Sequence, residues 1–197
     1  MLAGGSSRRL GQDKALLPLP DGRALVRATS DRLAQVCANV LLVIDRPGRY
    51  RGLALAADQV IDSGRGLGPL DGIRAALAAA QTSHVLVVAC DMPFLSVPLL
   101  AHMAGMDRSY DALAPVTEDG SQPLHAIYSR ACLPVAVGML AAGELAAGQL
   151  LERVNTRFLH REEWGPLDPE GLSFFNLNRG EDAERMREIW RRLAASG

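Results

Sequence analysis

Three short stretches of this sequence carry residue types suited to a phosphorylated ligand. The first, "LAGGSSRRLGQDK" over residues 2–14, sets Gly4 and Gly5 beside Ser6 and Ser7, followed by Arg8, Arg9 and Lys14. Glycines let the backbone turn sharply and offer N–H groups to phosphate oxygens, and the hydroxyls add donors. The pattern is neither the Walker G-x-x-x-x-G-K-[ST] nor the Rossmann G-x-G-x-x-G, and taken alone it reads as a solvated basic turn. Lys14 sharpens it. Lys14 is the only lysine, and the other 20 of the 21 basic residues are arginines. A GC-rich genome is the simplest source of that bias. A lone lysine has to sit somewhere, but its place at the end of a glycine-rich segment favours a role for a compact ammonium over a planar guanidinium.

In the second stretch, Asp91 follows the apolar run "HVLVVAC" and Pro93 ends the turn. A carboxylate at the mouth of a buried strand is a natural magnesium ligand, because Mg²⁺ is often held by one or two carboxylates plus substrate phosphates. The alternative, a cap for the next helix, is better filled by Ser96. The third stretch is "SGRGLGPLDG" at 63–72. Its glycines let backbone approach a planar base, and Pro69 suits a first helical turn, so both readings hold together. Asp62 just before it could accept hydrogen bonds from a ribose or base, or be an ordinary turn aspartate.

His84, His102, His125 and His160 have no histidine partner at helical spacing, which argues against a histidine metal site. His125 reads as a satisfied core histidine. Cys37, Cys90 and Cys132 form no C-x-x-C and read as reduced core thiols of a cytosolic protein.

Hydrophobic patterning supplies the elements that must position these residues. Residues 1–3 read as the tail of a strand. Apolar runs at 39–45 and 84–90 suit strands buried on both sides, and 58–62 a shorter one. Helices are expected at 24–37, about 70–82 and after Ser96. The second half predicts strands at 111–116 and 124–129 around "EDGSQP", helices at about 130–142 and 147–153, a strand at 157–162 and a helix from about Glu181. Strands alternating with amphipathic helices predict an α/β fold, a mostly parallel sheet covered on both faces. In such sheets ligands bind beyond the carboxyl ends of strands, where all three stretches fall.

At 197 residues and 48% hydrophobic composition the chain suits one soluble domain over 1–197. A net charge of -1 gives no bulk electrostatic case for nucleic acid or a membrane. No apolar run nears the roughly 20 residues of a bilayer span, and no charged-then-apolar leader opens the chain.

In order and spacing, "LAGGSSRRLGQDK", "GPLDGI", "CDMPFL", "QPLHAIYS" and "FFNLNRGED" resemble the molybdenum cofactor guanylyltransferases. These are a branch of the nucleotidyltransferase superfamily, with signature L-A-G-G-x-S-x-R-M-G-x-D-K. The resemblance covers essentially the whole chain. It implies a Rossmann-like three-layer α/β/α sandwich and transfer of GMP from GTP to the phosphate of molybdopterin, with pyrophosphate released and Mg²⁺ as cofactor. It implies nucleotide contacts at Leu2, Ala3, Gly4 and Asp62, a phosphate contact at Lys14, and nucleotide and metal binding at Asp91. Arg9, with Lys14 and Asp91, completes the implied catalytic set, and Asn176 and Asn178 fall on the acceptor side. The implied setting is cytoplasmic, with transient contacts to other cofactor-biosynthesis proteins or molybdoenzyme chaperones.

The chain departs from the family pattern in places. Leu10 replaces a methionine, Gln122 stands where many relatives carry histidine, and "NLNRGED" replaces N-x-N-T-P-E-D. Ile44 or Asp45 stands where the family has a nucleotide-contacting asparagine. Two other readings share the scaffold: a cytidylyltransferase or other small-phosphate nucleotidyltransferase, and a non-catalytic nucleotide-binding protein. "LAGG" with "GPLDG" favours guanine by resemblance, and Lys14 with Asp91 favours an enzyme. A central strand of about five or six residues would normally precede the first loop. Only its tail follows Met1, so a truncated first strand, with more Val/Ile-rich residues upstream, is expected.

Overall fold

Apolar side chains alternate along the strands, and the alternation feeds two packed faces of one sheet. The computed structural model describes residues 1–4, 13–53, 55, 57–178 and 180–195; Arg8 and Arg9 lie outside the described residues. The strands are β1 (Leu41–Ile44), β2 (Asp58–Ile61), β3 (His84–Val88), β4 (Ala112–Thr117), β5 (Gly120–Ser121), β6 (His125–Ser129) and β7 (Thr156–Leu159). The helices are α1 (Leu25–Leu33), α2 (Pro69–Ala79), α3 (Val97–Gly105), α4 (Cys132–Ala141), α5 (Ala147–Arg153), α6 (Arg161–Trp164) and α7 (Gly180–Ala195).

On one face Val87, Ala114, Ala126 and Tyr128 pack against Leu70, Ile73 and Leu77 of α2 and against α4 and α5. On the other, Leu42, Ile44 and Val88 meet Val26 and Leu33 of α1 and Leu100 of α3. Leu113 and Ile127 continue that second face against Leu99, Met103 and Trp164. The result is the expected α/β/α layering.

Residues 1–3 run between β1 and β3, parallel to both, through bridges from Leu2 to Val43 and to Ala89. Leu2 N donates to Val88 O and Ala3 N to Val43 O, each at 2.8 Å. The order across the sheet is therefore β2, β1, residues 1–3, β3, β6, β4, β7, with β5 paired to the end of β4. The sheet is mixed: β6 runs antiparallel to β3 and β4, whereas β4 and β7 are parallel. The expectation of a mostly parallel sheet overlooked a simple constraint. The connection at 118–124 is too short for a parallel crossover, which needs a dozen or more residues.

Two other boundaries differ. Helix α1 stops at Leu33 because Gln35 N and Val36 N reach back only three residues, to Arg32 O and Leu33 O, which tightens the last turn. The strand expected at 157–162 ends at Leu159. His160 then caps α6: its side chain accepts from the Glu163 N–H, and Glu163 Oε2 accepts from His160 N at 3.2 Å. Helix α3 starts as expected, with Ser96 Oγ accepting from Leu99 N at 3.3 Å. Cys90 and Cys132 are buried and Cys37 only partly so.

His125 lies fully buried on β6, its ring edge-on to Phe174 at 5.1 Å. It is not satisfied: among the described residues neither ring nitrogen has a hydrogen-bond partner. Burial pushes its pKa down to about 4, from an ordinary value of about 6.5. The folded chain thus holds His125 neutral while the unfolded chain protonates it below about pH 6.5. Its contribution to stability is complete above that pH and is lost as pH falls toward 4. Between pH 7.5 and 5 the loss is expected to be about 2 kcal/mol. Urea unfolding at the two pH values should show that difference in the native chain and its disappearance in His125→Phe.

Candidate nucleotide site

The carboxyl ends of residues 1–3, β1, β2 and β3 lie side by side, and a cleft of about 1180 Å³ opens over them. Small-molecule sites usually span roughly 300–1,000 Å³, so this cleft is at the large end of that class. Leu2, Ala3, Gly4, Lys14, Asp62, Asp91, Asn176 and Asn178 all line this cleft. Arg9 lies outside the described residues.

Lys14 begins a short turn of 3₁₀-helix, Lys14–Leu16, capped by Asp13, whose Oδ1 accepts from Ala15 N at 3.1 Å. Lys14 Nζ donates to Asn178 Oδ1 at 3.2 Å and lies 3.7 Å from Asp91 Oδ2. The late N-x-N is held there by two bonds. Leu177 N donates to Asp91 O at 3.0 Å, and Asn178 N donates to Asp182 Oδ2 at 2.7 Å at the start of α7. Asn176 turns its amide back to Phe174 O at 3.0 Å. Burial pushes the Asp91 carboxyl up, against the opposing pull of Lys14.

The opposite wall is glycine backbone. A Cβ on Gly4 would lie 3.2 Å from Asp62 Oδ2 and 3.3 Å from Asp45 N, so a side chain there would crowd both neighbouring strand ends. Asp62 Oδ1 accepts from Gly64 N at 2.7 Å and turns the chain into the second loop. Gly64, Gly66 and Gly68 take φ of +66°, +68° and +80°, a left-handed path that glycine follows without strain. Gly68 precedes Pro69 at the N-terminus of α2, where among the described residues no side chain caps the first N–H groups.

This loop is pinned from below by Asp71, a buried carboxylate that accepts from Ser63 N at 2.9 Å, from the Ser63 hydroxyl and from Arg74 Nε at 2.7 Å. Burial alone would raise its pKa, but hydrogen bonds from Ser63 and Arg74 outweigh that and hold it below the ordinary value.

A second group went unnoticed in the sequence. Arg49 Nε donates to Asp13 Oδ2 at 2.8 Å and its Nη1 to Asp45 Oδ1 at 2.7 Å. The adjacent Tyr50 hydroxyl donates to Ala3 O at 2.8 Å. The stretch "RPGRY" at 46–50, between the strands expected at 39–45 and 58–62, carries no motif in the sequence. The one available signal was that partly sheltered carboxylates, Asp45 at a strand mouth and Asp13 before Lys14, need a cation or donors.

Glycine backbone at neighbouring strand ends, facing the Lys14 ammonium and the sheltered Asp91 carboxylate, suits transfer of a nucleotidyl group to a second bound ligand. The class is that of the nucleotidyltransferases. The sequence profile of the MobA-like NTP transferase domain matches residues 1–157, and the chain belongs to that family. A "Probable molybdenum cofactor guanylyltransferase" of Pelotomaculum thermopropionicum is 37% identical over 190 residues, covering 95% of this chain and 90% of that one. The "Molybdenum cofactor guanylyltransferase" of Desulfosudis oleivorans is 31% identical over 187 residues, covering 94% and 91%. The crystal structure of "Molybdopterin-guanine dinucleotide biosynthesis protein A" from Archaeoglobus fulgidus superimposes with a TM-score of 0.84 at 29% identity, covering 97% of each chain.

Replacing Asp71 by Ala would strand the Ser63 donors and the Arg74 guanidinium. Stability is expected to fall by about 2–4 kcal/mol in urea unfolding, because charged hydrogen bonds are lost from a buried site. Amide exchange at 63–68 should rise with it, while Asp71→Asn, which keeps an acceptor, should cost less.

Proposed function

We infer that the chain transfers GMP from GTP to the terminal phosphate of molybdopterin, releasing pyrophosphate, in molybdenum cofactor biosynthesis. One observation carries this reading. The residues matching the family's motifs, scattered from Leu2 to Asn178, converge on one cleft in a chain whose relatives bear that name.

On this reading an oxygen of the acceptor phosphate attacks the α-phosphorus of GTP in line. The new P–O bond forms as the α–β bridge breaks, and pyrophosphate departs with the bonding pair. Such transfer depends on positioning and charge neutralisation more than on covalent chemistry by the protein. Lys14, anchored between Asn178 and Asp91, lies where its ammonium would offset charge on the triphosphate and leaving group, with Arg9 as a second cation. Backbone from Leu2 to Gly4 would approach the nucleotide closely, and Asp62 would accept from its sugar or base. Asn176 and Asn178, on the far wall, would face the acceptor.

Among the described residues no three His, Cys, Asp or Glu side chains come together to hold a metal. Mg²⁺ fits the cleft in its usual manner with nucleotides, on one carboxylate plus phosphate oxygens and water, and Asp91 is the residue that would hold it. When bound, the ion would neutralise phosphate charge. Residues 1–197 would act as one cytoplasmic nucleotidyltransferase domain, handing product to cofactor-biosynthesis proteins or molybdoenzyme chaperones. Neither nucleic acid nor a membrane is needed; among the described residues no helix is long and apolar enough to cross a bilayer.

Labelled GTP, Mg²⁺ and molybdopterin provide the test. The native chain should form the dinucleotide, with GTP preferred over CTP; faster turnover of CTP would overturn the guanylyl assignment. Asp91→Asn and Lys14→Met should each lower kcat by about 10²–10³, the scale of removing one group that stabilises transition-state charge.

A further inference from the structure

Arg49 comes from the loop after β1 and belongs to none of the stretches that resemble the family by sequence, yet it ties one of them, through Asp13, to Asp45 at the end of β1. Its side chain is only 6% exposed. A buried guanidinium is tolerated only when its donors are paired, and here the pairing is with two carboxylates at different places in the chain. Asp13 immediately precedes Lys14. Asp45 immediately follows β1. Burial works against the charged form of Arg49, but the bonds to Asp13 and Asp45 outweigh it and keep the guanidinium ionised.

The next residue completes the grip. Tyr50 OH bonds Ala3 O at 2.8 Å and lies 3.5 Å from Asp13 Oδ1, with the Arg49 guanidinium 5.5 Å from the Tyr50 ring centre. Residues 45–50 thus fasten both stems of the first glycine loop: Ala3 before it and Asp13 after it. Both oxygens of Asp13 are committed, one to Arg49 and one to the cap that orients Lys14. Ala3, Asp13, Asp45, Arg49 and Lys14 all line the same cleft.

We propose that Arg49 is a positioning residue for nucleotidyl transfer, acting through Asp13 to aim Lys14 and cancelling two carboxylate charges on the wall that faces the triphosphate. The proposal rests on the transferase reading above. It has two separable parts. The planar fork sets geometry, because one guanidinium can serve two carboxylates at once and an ammonium on a flexible stem cannot hold both in fixed directions. The charge sets affinity, because uncompensated Asp13 and Asp45 would repel a polyanionic nucleotide.

The two parts separate in steady-state GMP transfer with GTP varied, run beside thermal unfolding. Arg49→Met should raise KM for GTP about tenfold and lower kcat at least tenfold. Arg49→Lys, which restores charge without the fork, should bring KM within about threefold of the native value while kcat stays low. Asp13→Asn combined with Arg49→Met should lose less than the product of the two single effects, as expected for residues acting as a unit. Native kcat and KM in folded Arg49→Met, or strictly multiplicative losses in the double variant, would overturn the proposal. If Arg49→Met does not fold, Arg49→Lys decides: low kcat with near-native KM supports positioning, and unchanged kcat overturns it. A native chain that transfers no GMP overturns the transferase reading and this proposal with it. An active native chain indifferent to Arg49 overturns this proposal alone.

Discussion

The site depends on the hydrogen bonds that residues 1–3 make on both sides. Met1 O accepts from Val43 N, Ala3 N donates to Val43 O, Leu2 N donates to Val88 O, and Cys90 N donates to Leu2 O. Without these bonds the β1–β2 pair and the strands from β3 to β7 would be separate sheets. Because the joined strands are parallel, their carboxyl ends emerge on one edge, and Gly4, Asp45, Asp62 and Asp91 emerge with them. Leu2 also decides how closely α2 approaches, since a Cβ on Gly72 would lie 3.1 Å from Leu2 Cδ1. One residue therefore sets the floor of the cleft and the seat of the second glycine loop.

Carboxylates crowd this edge, and the structure treats them differently. Asp71 is held charged by Ser63 and Arg74, while Asp13 and Asp45 share Arg49. Asp62 accepts from a backbone N–H in its own turn. Asp91 pairs with Lys14 at 3.7 Å, and burial drives its carboxyl upward against that pull. The first three are framework groups whose charge is already spent on local partners. At Asp91 burial opposes the charged form, so a cation bound beside it would stabilise that form, as the proposed magnesium role requires.

Much of this was legible in the sequence because the relevant signals are local. A run such as "HVLVVAC" marks a buried strand, an aspartate at its end marks the ligand edge, and Ser96 or Pro69 marks a helix start. The parallel-sheet rule then gathers residues from different strands without any knowledge of distances. What escaped notice depends on partners far along the chain or on geometry that periodicity does not encode. Arg49 meets Asp13 across 36 positions, and nothing near either residue announces the other. The capped turn of α6 hides within a strand-like pattern, and the isolation of His125 reflects what surrounds it in space. The antiparallel β6 was the one topological feature open to inference, from the length of 118–124 alone.

The two kinds of cation in the cleft also explain a compositional oddity. In a chain that otherwise uses arginine throughout, position 14 keeps lysine. At position 49 two fixed carboxylates stand apart, and a planar fork satisfies both while staying buried. At position 14 the cation sits between one amide oxygen and one carboxylate at the open cleft, 3.2 Å and 3.7 Å away. On the proposed function a phosphate arriving there would take a share of the cation without displacing either neighbour. A compact ammonium with three rotatable donors can divide itself in that way, whereas a guanidinium would pair with Asp91 in one fixed geometry and, on the proposed function, neutralise the carboxylate that would hold the metal. On these proposals position 49 calls for a rigid connector and position 14 for a shareable charge, which would account for the single lysine of an arginine-rich chain.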